Sequence, residues 1–241
     1  MTEKKIAWDK ISPQLGEWNR YFHKFWEIGG FDRIYGKLKE DSAKGRKILP
    51  ESKDVFRIFR EVSPKDVTVI QYFLDPYPTL YQNKIIANGI ALDCENTGKL
   101  QPSLSLWYDG LQNCYQREEK FKRNPSLKHY YSQGILFLNT ALTVEYQKVG
   151  SHKEIWQEFN KYLIEEVFNL HLSGLPVILY GKEAQKLENV FIPFNFHILK
   201  VEHMAAASHQ NREWNHDNVF KKIDTILKNN NNITLNWFED E

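Results

Sequence analysis

Three residues far apart in the chain, Asp75, Asn139 and His203, each stand at or just past the end of a strand-like apolar run. Their side chains suit one another. A carboxylate can orient or deprotonate a water and steady a nearby cation. A carboxamide offers a donor and an acceptor side by side, which matches a base edge carrying the complementary pair. An imidazole can donate a hydrogen bond to an oxygen on which negative charge develops. Together they fit departure of a base as an oxyanion while water attacks the sugar carbon. They do not fit acyl transfer, because the chain has no Gly-x-Ser-x-Gly elbow and no cysteine with a partner histidine placed as a nucleophile.

For that chemistry to happen the three must meet, so the elements that carry them matter. Residues 67–73, 135–138, 177–180 and 196–201 are short, nearly continuous apolar runs, the pattern of strands covered on both faces. Helical patterns fall between them, at 103–119, 151–170, 182–187 and 217–228, the second opened by Ser151-His152-Lys153-Glu154 in capping-box form. Alternation of this kind predicts an α/β fold, a three-layer sandwich with a central four-stranded parallel sheet flanked by helices. In such sheets ligands bind beyond the carboxyl ends of the strands. Asp75 opens the stiff turn Asp75-Pro76-Tyr77-Pro78, in which proline fixes φ and restrains the residue before it. Each residue also has a plain reading: the turn as loop geometry, Asn139 as a turn former, His203 as a surface or structural histidine. The pattern alone leaves both readings standing.

The N-terminal part reads differently. Leu15, Trp18, Tyr21, Phe22, Phe25 and Trp26 recur at helical spacing up to Gly29-Gly30, which reads as a helix end. We read this stripe as core, with a docking face as the alternative. Residues 54–61 read as a short helix, 41–46 as a loop and 229–232 as a surface turn. The chain is expected to be a single domain over residues 1–241, with residues 1–45 a helical extension packed on it.

Composition narrows the class. Thirty-two Lys and Arg against 31 Asp and Glu leave a net charge of +1, so any anion-binding surface must be a local patch. Lys120, Lys122, Arg123 and Lys128 are candidates for one. Two cysteines, Cys94 and Cys114, without paired-ligand spacing argue against a disulfide framework or a metal site, and for a reducing compartment. The opening Met-Thr-Glu-Lys-Lys is not followed by the apolar run of a signal peptide, and no apolar run reaches membrane-spanning length. A cytoplasmic protein is expected, or one in the DNA-containing compartment of a host cell if viral.

Larger motifs then carry a resemblance. Asp75-Pro76-Tyr77-Pro78, Pro102-Ser103-Leu104, the segment from Leu138 to Val144, Ser151-His152 with Trp156, Leu179-Tyr180-Gly181 with Ala184-Gln185, and His203 occur in the order and spacing of family-1 uracil-DNA glycosylases. The chain resembles that family from about Leu49 to Asn236-Trp237. The resemblance implies a DNA glycosylase of base excision repair that flips uracil out of DNA, at about a few kcal/mol of unstacking, and needs no cofactor or metal. It implies that Asp75 positions the water and steadies the sugar cation, Asn139 reads uracil N3 and O4, and a neutral His203 donates to O2. Tyr77 would exclude the C5 methyl of thymine. Pro102 and Ser103 would pinch the DNA backbone. Ser151, Ala205 and Ala207 would also face DNA. The expected partner is uracil-containing DNA, single- or double-stranded, with a monomeric protein, no membrane, and a replication or inhibitor protein as a possible further partner.

Four positions depart from the family pattern. Leu74 stands where the motif has Gln, though main-chain N–H groups at Leu74 and Asp75 can still serve. Leu92 stands where the family has the Phe that stacks on uracil, a stack worth about 1–3 kcal/mol. Ala205 lacks a phosphate-binding hydroxyl, and Ala207 occupies the position of the intercalating Leu. The His-x-Ala-Ala form is similar to poxvirus members, which also have a binding role at the replication fork. These departures imply a slowed or differently tuned enzyme. They leave open a glycosylase for a modified pyrimidine and a non-catalytic DNA-binding or replication adaptor on the same fold.

Overall fold

Short apolar strands that must be covered on both faces dictate the centre of the molecule. The computed structural model describes residues 6–239; the Met-Thr-Glu-Lys-Lys opening lies outside them. Ahead of the sheet lie α1 (Asn19–Glu27) and α2 (Gly30–Ala43). The sheet is built from β1 (Val69–Phe73), β2 (Ile135–Asn139), β3 (Pro176–Tyr180) and β4 (His197–Val201). The order across it is β2-β1-β3-β4, and all pairs are parallel. Every residue of β1, β2 and β3 is buried, which explains their nearly continuous apolar character, broken by Gln71 within β1 and by Asn139 at the end of β2. In β4, at one edge, His197 and Lys200 are exposed, so its outer positions tolerate polar side chains.

Register aligns the strand ends. Phe73 pairs with Asn139, and Tyr180 pairs with Val201, so the carboxyl ends of the four strands lie level. Two further contacts lock the end of β1 to β2: Thr140 N–H donates to Phe73 O (2.8 Å), and Thr140 Oγ1 donates to Leu74 O (2.7 Å). Asp75 and His203 each fall two residues beyond a strand end, on one rim.

Helices α3 (Pro102–Tyr115), α4 (Gln157–Tyr162), α5 (Met204–His209) and α6 (Val219–Asn231) complete the frame. Several boundaries differ from the sequence reading, each for a local reason. Gln116 adopts a left-handed backbone, φ 52°, and ends α3 there instead of at 119. Residues 151–156 form turns, because the Ser151 hydroxyl accepts the Glu145 N–H (2.8 Å) instead of capping a helix at 151. Beyond α4 the helix widens to a π-turn over Leu163–Phe168 before closing at Asn169–His171. The supposed turn at 229–232 is the last turn of α6, which ends where Asn232 goes left-handed.

Within the helical extension expected over residues 1–45, α2 buries Phe31 and Ile34 and packs Tyr35 and Leu38 on the core, an apolar stripe at helical spacing. It runs through Ala43, past the start of the loop expected at 41–46. Gly29, at φ 75°, makes the tight turn from α1 straight into it. Trp18, Phe22 and Phe25 are buried with Phe31, Phe56, Phe59 and Phe159 in the same core as the sheet, and Phe22 stacks on Phe159 at 5.2 Å. Trp18 Nε1–H donates to Val62 O at 2.7 Å. Asp41 on α2 faces the buried His152 at 3.4 Å. The aromatic stripe is therefore core. Replacing Trp18 with Ala is expected to lower unfolding free energy in urea by about 3–5 kcal/mol. A loss below about 1 kcal/mol, the size of a surface change, would show that these helices are not part of the main core.

Candidate active site

Pro76 is buried, and Asp75 before it lines the cavity just beyond the end of β1. One carboxylate oxygen of Asp75 accepts the Gly150 N–H at 2.5 Å. Burial pushes this carboxyl up to about 6, against the opposing pull of that N–H. Asn139, the last residue of β2, is 5% exposed, and its carboxamide has no hydrogen-bond partner among the described residues. Both its donor and its acceptor remain available.

His203 follows β4 and caps α5. Its Nδ1 accepts the Ala205 N–H at 3.1 Å. A ring nitrogen that accepts is unprotonated, so the remaining proton sits on Nε2 and the ring is a neutral donor there. Burial pushes its pKa down to about 4, which keeps it neutral at ordinary pH. The edge of the ring meets Phe73 at 6.1 Å and 90°. Gly181, at φ 79°, makes room for it: a Cβ there would approach His203 Cβ to 2.8 Å. The chain just past β3 is thus shaped around the imidazole.

All three groups line one cavity of about 420 Å³. Leu74, Tyr77, Leu92, Ser103 and Ala205 line it too. Tyr77 donates its hydroxyl to Leu92 O at 3.2 Å, which fixes its ring against the wall. Leu92 is nearly buried in a left-handed conformation, φ 64°. That strained loop is held by a buried pair the sequence did not advertise: Asn88 Nδ2 donates to Asp93 at 2.6 Å, and Asp93 also accepts the Leu127 and Glu95 N–H groups. Phe73 and Tyr180, stacked at 4.4 Å, give the cavity an aromatic lining.

No protein-family model matches the chain. Individual proteins do. The chain is 32% identical over 227 residues to the uracil-DNA glycosylase of Vibrio campbellii, spanning 93% of this chain and 96% of that protein. It is 30% identical over 210 residues to that of Borreliella burgdorferi, spanning 84% and 89%. The chain belongs to the uracil-DNA glycosylase family. Among solved structures, that of mimivirus uracil-DNA glycosylase shares the fold, with a TM-score of 0.83 at 21% identity over 98% of this chain and 90% of that one. A variant of the mimivirus protein in complex with UGI matches with a TM-score of 0.83 at 22% identity, over 98% and 92%.

The remaining positions of the glycosylase pattern lie outside the cavity. Ala207 is completely buried, and its carbonyl accepts the Gln210 and Arg212 N–H groups. It cannot fill a base stack as an intercalating side chain, because α5 turns it inward. Pro102 and Ser151 do not line the cavity; Pro102 is exposed at the start of α3, and Ser151 is half-buried and bonded to Glu145. None of Lys120, Lys122, Arg123 and Lys128 lines the cavity either, and Lys122 and Arg123 pair with Glu239 and Asp109. Conversely, Gly150 acts through its main chain and Gly181 through the side chain it lacks, so neither shows in a side-chain pattern. Cys94 and Cys114 are free and buried. Among the described residues no cluster of His, Cys, Asp or Glu could hold a metal ion, and no helix is long and apolar enough to cross a membrane.

The cavity exacts a cost. In the folded protein Asp75 holds its proton up to about pH 6, against an ordinary 3.8. The folded state therefore binds that proton more tightly, and stability falls as pH rises through this window. Asp75→Asn is expected to raise the urea midpoint at pH 8, with the gain shrinking as pH falls from 6 towards 4. A variant no more stable than wild type at pH 8 would mean that the carboxylate is well solvated.

Proposed function

We propose that this protein removes uracil from DNA by hydrolysing its N-glycosidic bond, as the names of its relatives describe. The observation that carries this reading is the shared cavity of Asp75, Asn139 and His203. A flipped nucleotide would enter base first. The free carboxamide of Asn139 would accept from N3–H and donate to O4. The Nε2–H of His203 would donate to O2, where charge accumulates as the C1′–N1 bond breaks. Its neutrality matters: the ring stabilises the leaving base by a hydrogen bond without needing to be a cation. Asp75, ionised above about pH 6, would orient a water at C1′, steady the positive charge on the sugar, and take the proton as the new C–O bond forms. Tyr77, held by its bond to Leu92, would crowd the C5 position of the base.

Ser103 and Ala205 lie on the cavity wall, where a phosphate of the same strand would pass; the Ser103 hydroxyl is the one able to hold it. With Leu92 in the wall, the base would meet an aliphatic surface there. The N-terminal helices would belong to the same domain, since their aromatic face is part of its core. The partner is uracil-containing DNA, in the cytoplasm or wherever a host keeps it. A protein such as UGI, found in complex with a mimivirus variant of this fold, is a candidate partner.

The test is release of free base from an oligonucleotide carrying one dU. Wild type is expected to release uracil, and Asp75→Asn to slow release by about 10³-fold or more, in line with about 4 kcal/mol of lost transition-state stabilisation. The wild-type rate should rise with pH through about 6 as Asp75 ionises, then level off with no second inflection from His203, already neutral above about 4. Asp75→Asn as fast as wild type would refute the mechanism. No free base by mass spectrometry, with DNA still bound, would favour the adaptor instead.

A further inference from the structure

Four large apolar side chains are exposed among the described residues: Ile28, Val149, Leu170 and Ile192. Of these only Val149, 64% exposed, also lines the cavity. Its surroundings are rigid. Tyr146 N–H donates to Lys47 O (2.8 Å), Gln147 N–H to Pro78 O (2.7 Å), Lys148 N–H to Glu145 O (3.0 Å), and Ser151 N–H to Lys148 O (3.2 Å). The Ser151 hydroxyl accepts the Glu145 N–H, and Gly150 N–H donates to Asp75. The backbone on both sides of Val149 has its hydrogen bonds made, and the side chain is held out in water at the mouth.

That is the form a wedge against stacked bases takes. An apolar side chain on a pre-ordered backbone gains by leaving water when it meets a base face, and loses little freedom in doing so. Proteins that unstack DNA insert or press such side chains at the disturbed step. Helix α5 offers no exposed large apolar side chain there: His209, which is exposed and also lines the cavity, is polar. In α5 Met204 and Ala207 are fully buried, and Ala205 and Ala206 carry single methyl groups. Val149 is also one residue from the N–H that holds Asp75, so its distance to the carboxylate is set by one short stretch of fixed chain.

We propose that Val149 abuts the base stack beside the flipped nucleotide and occupies part of the space the nucleotide vacates, making it a determinant of activity on duplex DNA. The proposal rests on the glycosylase reading above. On a single strand no pairing partner pulls the base back, so the wedge has little to do there. Filling the gap helps only where a duplex would otherwise re-stack.

The experiment is single-turnover release of uracil from matched oligonucleotides, dU in a single strand and dU in a duplex, by wild type, Val149→Ala and Val149→Leu, with melting temperatures as a folding control. Val149→Ala is expected to slow release from the duplex about tenfold while changing the single-strand rate by less than about twofold, and Val149→Leu to match or exceed wild type on the duplex. Equal losses on both substrates, or an unchanged duplex rate, with wild type active, would overturn the wedge and leave the glycosylase reading intact. Wild type that releases no uracil from either substrate would overturn both.

Discussion

The site depends on the register of a parallel sheet. Because Phe73 pairs with Asn139 and Tyr180 with Val201, residues more than sixty positions apart in the chain emerge level at one edge. Burial on both faces leaves β1, β2 and β3 almost no room for polar side chains, so polar chemistry is displaced to that edge. Asp75, Asn139 and His203 make no hydrogen bonds to one another among the described residues. Main-chain groups hold them instead: the Gly150 N–H on Asp75, the Ala205 N–H on His203, and the strand ladder under Asn139. Side chains anchored in this way keep their working atoms free, which is the arrangement a site needs if it is to be ready before its ligand arrives.

The same apolar enclosure tunes both titrating groups toward neutrality, in opposite directions on the pH scale. Burial raises the Asp75 carboxyl to about 6 and lowers the His203 imidazole to about 4. At neutral pH the result is one anion and one neutral donor in a single cavity. An anion faces the place where the proposed sugar cation would form, and a dipole faces the place where the departing base would gather charge. A charged histidine would instead have put a second full charge into this apolar enclosure. Phe73, T-shaped against the ring, and Gly181, whose missing Cβ leaves room for it, hold the imidazole in that dry position. The folded state bears part of the cost in the strained ionisation of Asp75.

Much of this was legible in the chain, because strands buried on both faces and residues at their ends leave a strong linear trace. The four strands fall within two residues of the runs that announced them, and the three residues singled out by type do share a cavity. What escaped reading acts through the backbone or through tertiary context. The Ser151-to-Glu154 box looked like a helix start, but Ser151 had a better acceptor role toward Glu145. Gly150 contributes only an N–H. Asn88 and Asp93 form a buried clamp that no local pattern distinguishes from an ordinary polar loop. Ala207 follows the motif in position but is turned into the core by α5, while an exposed Val149 that no motif marked stands at the mouth. Helix α2 carries Phe31, Ile34, Tyr35 and Leu38 at helical spacing, so its apolar stripe was readable in the chain, whereas the approach of Asp41 to the buried His152 was not.

The central claim is that one pyrimidine contacts the Asn139 carboxamide and the His203 imidazole together, within reach of Asp75. Titrating free uracil into isotope-labelled protein and following the Asn139 side-chain amide and His203 Nε2–H signals by NMR addresses it directly. The account predicts that both signals move with a single dissociation constant, and that the His203 ring stays in its Nε2–H form throughout. Shifts confined to one of the two residues, or uracil bound with neither perturbed, would contradict it.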